Sequence, residues 1–150
     1  MKEQQITPEI TVGGQPTADN IRELKERGFQ TVINLRAPDE KNLLKDEKRH
    51  VEDNCMDYAS IPVASQTLDE AAVQRFSTTV GAKNSQPVYV HCGSGGRAGV
   101  LALLYLAIDN GWTVEQALQE GEKHGIGPSE RSPYRRFFEE YIQRRSAGER

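Results

Sequence analysis

"VYVHCGSGGRAG", residues 88–99, decides the fold. A β-branched and aromatic run ends at His91 and Cys92. Glycines follow at 93, 95, 96 and 99, Arg97 stands among them, and the apolar run "VLALLYLAI" begins at Val100. The first residues read as a strand. The apolar run reads as a helix buried on several sides. Strand, tight loop and helix in that order make one step of a layered α/β domain, in which ligands sit beyond the C-terminal ends of the strands.

The rest of the chain repeats that step. "ITVGGQP" (10–16) reads as a short strand ending in a Gly/Pro turn. Thr17 caps a helix whose apolar face is Ile21 and Leu24, and Gly28 stops it. "FQTVINLR" (29–36) is a strand and "DYASIPV" (57–63) another. Between them, "PDEKNLLKDEKRHVEDN" (38–54) reads as one heavily charged helix, with Leu43, Leu44 and Val51 on one side and a solvated charged face. "TLDEAAVQRFSTTV" (67–80) opens with Thr67 and Glu70 in capping-box spacing, followed by Val73, Phe76 and Val80 at helical spacing. Thr113 and Gln116 form a second capping box. In "SPYRRFFEEYIQRR" (132–145) the stripe Tyr134, Phe137, Phe138 and Tyr141 reads as core packing. "SAGER" (146–150) is expected to fray. The pattern predicts an α/β fold of three layers: a mostly parallel central sheet of four to five strands with helices on both faces, in a single domain over 1–150, ordered over roughly 6–145.

Bulk properties exclude several classes. A chain of 150 residues can bury a core of its own. Its net charge of −3 implies no basic face, which argues against nucleic acid as a partner. The longest apolar run is too short to span a bilayer, and "MKEQQITPEI" has no apolar core of a signal peptide. Cys55 and Cys92 are too few for a disulfide framework and point to free thiols in a reducing, cytoplasmic compartment. Cys55, ahead of the third strand, reads as a packing residue. No histidine pair has metal-ligand spacing, no G-K-[ST] follows a glycine loop, and the glycines of 93–99 lack dinucleotide spacing, so neither metal nor cofactor is expected.

What, then, is the thiol for? Glycines allow positive φ, so the N–H groups of Gly93, Ser94, Gly95 and Gly96 can turn inward as an anion nest. The loop feeds a helix N-terminus, which adds unpaired donors and the positive end of the dipole. Arg97 supplies a planar fork for an oxyanion. Such surroundings favour a Cys92 thiolate, hence a nucleophile. His91 is expected to point away from the anion and order the loop. Arg36, after "VINL", ends a strand on the same edge and should lie near the site, either as a working group or paired with Glu40.

Strand, His-Cys, glycine loop, arginine and helix in this order resemble the cysteine-dependent protein-tyrosine and dual-specificity phosphatases. "TVGGQPTADNIRELKERGFQTVINLR" (11–36) is also similar to the phosphatase-like domain of the bacterial beta-lactamase hydrolase-like proteins. The likeness covers roughly 6–125. It implies a phospho-cysteine intermediate at Cys92, loop amides and Arg97 on the phosphoryl oxygens, and an aspartate that protonates the leaving group.

Three departures redirect the expectation. Only Gly93, Ser94, Gly95 and Gly96 separate Cys92 from Arg97, where the phosphatase signature has one residue more. Ala98 replaces a hydroxyl that assists the leaving thiolate. "IPVASQT" (61–67) offers no acid; the nearest are Asp69 and Glu70, in a first helical turn where acids need no catalytic role. Asp69 is the candidate general acid. The short loop is similar to that of rhodanese-type sulfurtransferases, whose cysteine carries a persulfide and needs no acid for its leaving group. The favoured expectation is therefore a sulfurtransferase taking a small sulfur donor, thiosulfate or a persulfide, with a thiol as a possible acceptor. The alternatives are a phosphatase acting on a phosphoester and an inactive binder of phosphate or sulfate.

Overall fold

Side-chain alternation along one strand divides the core in two. Val88 and Val90 of β5 (Val88–His91) join the larger apolar cluster, and Tyr89 between them joins the smaller one on the opposite face. The computed structural model describes residues 2–146. Its other strands are β1 (Glu3–Thr7), β2 (Ile10–Gly13), β3 (Thr31–Asn34) and β4 (Asp57–Ser60). They form one sheet in the order β1-β2-β5-β3-β4, with β2, β5, β3 and β4 parallel and β1 antiparallel at the edge. On one face α1 (Ala18–Glu26) and α2 (Glu47–Asp53) bury Ile21, Leu24 and Val51 against Val32 and Tyr89. On the other lie α3 (Glu70–Gly81), α4 (Gly96–Asn110), α5 (Val114–His124) and α6 (Arg135–Ser146). The α/β fold of three layers expected from the sequence is the fold observed.

α4 explains why the apolar run after Arg97 is so long. Leu101, Leu103 and Leu104 are all fully buried, since the helix packs on the sheet and also touches α3, α5 and α6. Truncating one such leucine to alanine costs about 2–5 kcal/mol, so α4 anchors the loop ahead of it firmly. The strand register then aligns the site. Gly13, His91 and Asn34 are paired across β2, β5 and β3 at their C-terminal ends. Pairing continues beyond them, with Cys92 N donating to Gly13 O, Leu35 N to His91 O and Val63 N to Leu35 O. Four loops therefore leave the same edge side by side.

Several local expectations are corrected. β1 was not foreseen; it pairs with β2 and lies along Gly13. The charged helix is confined to Glu47–Asp53. Residues 38–46 are turns instead, because the carbonyls of Lys41 and Asn42 accept from the Arg36 guanidinium and Asn42 and Asp46 adopt positive φ, which ends helical propagation. The cap of α3 is Asp69, whose carboxylate accepts from Ala72 N, while Thr67 Oγ1 is bound by Ala64 N one turn earlier. Cys55 is exposed at positive φ and packs no core. The second capping box, Thr113 with Gln116, is present in both hydrogen bonds. Of "SAGER", residues 147–150 lie outside the described residues. No helix among the described residues is long and apolar enough to cross a membrane.

Candidate functional site

Cys92 is the first residue past β5 and is almost wholly buried. Its Sγ accepts a hydrogen bond from Gly95 N at 3.0 Å. Gly95 stands at φ 103°, where an L side chain would be strained, and this turn brings its N–H back onto the sulfur. The N–H groups of Gly93, Ser94, Gly96 and Arg97 reach no protein acceptor among the described residues. They sit at the N-terminus of α4, as an anion cradle requires. The floor is tight: a Cβ on Gly13 would lie 2.3 Å from Tyr89 Oη, so only glycine lets β2 pass here. That phenol donates to Gly14 O at 2.8 Å and fixes the turn.

Arg97 is gripped from its far end. Nη1 donates to Glu40 Oε2 at 2.8 Å and to Val63 O at 2.9 Å; Nη2 donates to Glu40 Oε1 at 2.7 Å. The end of the guanidinium is thus taken, and its Nε edge keeps no protein acceptor among the described residues. Nη2 lies 4.0 Å from where a Cβ on Gly93 would be, so this edge borders the loop. Glu40 is held at about 2, well below its ordinary 4.5, chiefly by the hydrogen bonds from Arg97 and against the pull of burial. Arg97 is raised in turn by Glu40. Glu40 is therefore an ionised clamp at neutral pH and has no proton to give.

Arg36 lies beside them, 8% exposed. Its Nε donates to Glu40 Oε1 at 3.1 Å, Nη1 to Gln15 Oε1 at 2.8 Å and to Asn42 O at 3.3 Å, and Nη2 to Lys41 O. Arg36 lies near the loop, with Nε 3.9 Å from where a Cβ on Gly93 would be, and it is paired with Glu40. His91 is fully buried, with Nε2 2.6 Å from Glu47 Oε2 and Nδ1 3.4 Å from Cys92 O. Asp69 is not among the groups bonded to the cradle; its carboxylate caps α3. Tyr134 stands half-buried ahead of α6 and packs against the larger core cluster as expected, and its phenol also lies in the fields of Arg97, Cys92 and Glu40. Burial is the main cause that raises it.

The sequence reading missed Glu40 and Glu47 as site groups because both stand in the charge run 38–54. A usable signal existed: Glu40 lies four residues past Arg36, at the C-terminal end of a strand, where acids face a site as readily as solvent. Gln15, in the turn after β2, was passed over as turn chemistry.

Residues 1–135 match the family described as "DSP-PTPase phosphatase fused to NAD+ Kinase". The beta-lactamase hydrolase-like protein of Agrobacterium fabrum is 32% identical over 129 residues, which are 84% of this chain and 30% of that protein. The dual specificity protein phosphatase TpbA of Pseudomonas aeruginosa is 25% identical over 81% of this chain and 54% of its own. The chain thus spans under a third of the first relative and about half of the second. Among solved structures, PTPMT1 in complex with PI(5)P superposes with a TM-score of 0.80 over 97% of each chain, at 18% identity, and so shares the fold.

Proposed function

Since the chain belongs to the family of DSP-PTPase phosphatases described as fused to NAD+ kinase, we propose that it hydrolyses phosphomonoesters through Cys92. The observation that carries this reading is the grip of Glu40 on the far end of Arg97, which leaves the Nε edge for an oxyanion above the buried sulfur. In the first step Sγ attacks phosphorus, the P–O bond to the leaving group breaks, and a phospho-cysteine forms. Water then attacks phosphorus, the S–P bond breaks, Cys92 is left behind as the thiolate, and inorganic phosphate is released with the water's proton passing to phosphate or solvent. The amides of Gly93, Ser94, Gly96 and Arg97 and the Arg97 guanidinium hold the three equatorial oxygens through both steps, where charge is densest. Two proteins that share the fold are seen with ligands of this class: TpbA of Pseudomonas aeruginosa in complex with phosphotyrosine and PTPMT1 in complex with PI(5)P.

The comparisons favour this chemistry over the sulfur transfer expected from loop length. One observation still speaks for the sulfur reading: Glu40 is ionised and Asp69 caps a helix, so neither is placed as an acid for an alkoxide. Aryl phosphates, whose leaving groups need little protonation, are accordingly the substrates of choice. The test is turnover of p-nitrophenyl phosphate against turnover of thiosulfate with cyanide, by the wild type and by Cys92→Ser. Aryl phosphate hydrolysis lost in the variant supports the phosphatase. Cys92-dependent thiosulfate turnover without phosphate release overturns it.

A further inference from the structure

The cradle has two supports that never touch each other directly. On one side Glu47 of α2 holds His91, the residue beside the nucleophile, at 2.6 Å. On the other, Arg36 holds Glu40, and Glu40 aims Arg97. A single side chain joins them. Gln15 Nε2 donates to Glu47 Oε1 at 2.7 Å and to Pro16 O at 3.1 Å, and Gln15 Oε1 accepts from Arg36 Nη1 at 2.8 Å. The polar path His91–Glu47–Gln15–Arg36–Glu40–Arg97 is therefore unbroken, and it draws on the loops after β2 and β3, the end of β5 and the starts of α2 and α4.

A primary amide meets the demands of the middle of this path without having to take up a proton. The group must donate toward a carboxylate and accept from a guanidinium, on two atoms of one planar unit. Glu47 can only accept when ionised, so it fixes which way the amide faces and turns the carbonyl toward Arg36. Arg36 and Glu47 are both nearly buried, at 8% and 5% exposure, so a lost partner is not replaced cheaply by water. We propose that Gln15 is a positioning residue for Arg97, set in its orientation by Glu47 and acting through Arg36 and Glu40. The proposal rests on the phosphatase reading of the same site, but its measurement does not.

The variants exchange the two groups. Gln15→Glu keeps an acceptor for Arg36 but sets a second carboxylate against Glu47 Oε1. Adding Glu47→Gln restores the path with its polarity reversed: the new amide donates to the new carboxylate, its carbonyl faces His91, and the net charge is that of the wild type. Pro16 O stays unpaired, so recovery is partial. The probe is inorganic phosphate, its affinity measured by calorimetry alongside thermal unfolding. Q15E should weaken phosphate about tenfold and Q15E/E47Q should return to within about threefold of wild type, the scale of one buried charge-linked hydrogen bond. In an Arg97→Lys background, Q15E should add less than about twofold, because the effect passes through Arg97. Should Q15E not fold, Gln15→Leu, which removes the link without adding charge, should weaken phosphate about threefold.

Three results would overturn the proposal: a double variant no better than Q15E, a full tenfold loss in the Arg97→Lys background, or a fall in melting temperature with phosphate affinity unchanged. These are separate from failure of the phosphatase reading, which would show as phosphate binding in the wild type with no Cys92-dependent hydrolysis.

Discussion

The loop 92–97 and the segment 36–47 meet at Arg97 and are built by opposite means. The loop works with its backbone. Gly95 turns a peptide N–H onto the Cys92 sulfur, and the neighbouring N–H groups at the head of a buried helix reach no acceptor among the described residues. The segment works with side chains. Arg36 ties down the carbonyls of Lys41 and Asn42, and Glu40 takes both terminal nitrogens of Arg97. A backbone cradle tolerates most changes of side chain, whereas a side-chain clamp is lost with one substitution. The two regions should therefore answer mutation differently, and Arg97, which belongs to both, should answer most strongly.

Arg97→Lys tests the shared residue. An ammonium cannot hold Glu40 with two parallel bonds while presenting a second edge to an oxyanion. We expect kcat/KM for p-nitrophenyl phosphate to fall about a hundredfold, from loss of the fork in the transition state. A loss under about threefold would mean that the loop amides hold the anion unaided, and that the clamp is incidental.

Glu40→Gln tests the segment alone. The amide keeps the shape but can accept from only one of the two Arg97 nitrogens, so kcat/KM should fall about tenfold, the worth of one charge-assisted bond. Stability carries a second signature. The Glu40 value in the folded chain, about 2, lies below its ordinary 4.5. Its contribution is fully present above about pH 4.5 and is lost as pH falls toward about 2. The wild type should therefore lose more stability than Glu40→Gln over that interval in acid-denaturation curves. Parallel curves would show that Glu40 gains nothing from Arg97 on folding, and the clamp would lose its electrostatic basis.

The same contrast explains what could be read in the sequence. A cysteine between a β-branched run and four glycines has few uses, because glycines are costly unless positive φ or close approach requires them. The strands and the buried helix around it follow from periodicity. Charged residues carry no such mark. Beyond the spacing of Glu40 from Arg36, Glu40, Glu47 and the lysines between them look alike in a run, and the fold decides that Glu40 meets Arg97 and Glu47 meets His91 while the lysines meet water. Helical propensity also misled over 38–46, where Arg36 takes carbonyls that a helix would have used. The aromatic stripe is read correctly as core packing, since Phe138 and Tyr141 are buried and Tyr134 and Phe137 pack against the same cluster, but only the fold shows that the Tyr134 phenol also lies in the field of Arg97.

Asp69 marks the outer limit of the site and carries the smallest expected effect on turnover. It stands after the loop that follows β4, the place where the phosphatase resemblance puts a general acid. Its carboxylate is already occupied with Ala72 N at 2.9 Å, and its backbone is extended as an N-cap requires. A group in that role stabilises the helix and is not free to swing over a leaving group. Asp69→Ala should lower stability by about 1 kcal/mol, while Asp69→Asn, whose side-chain carbonyl still accepts from Ala72 N, should cost a few tenths. Both folded variants should turn over p-nitrophenyl phosphate within about twofold of wild type, and the ratio should not widen for phenyl phosphate, whose poorer leaving group depends more on an acid. A loss in Asp69→Asn that grows as the leaving group worsens would overturn this assignment. It would show that the capped carboxylate is released when substrate binds, and it would bring the loop after β4 into the chemistry alongside the segment after β3.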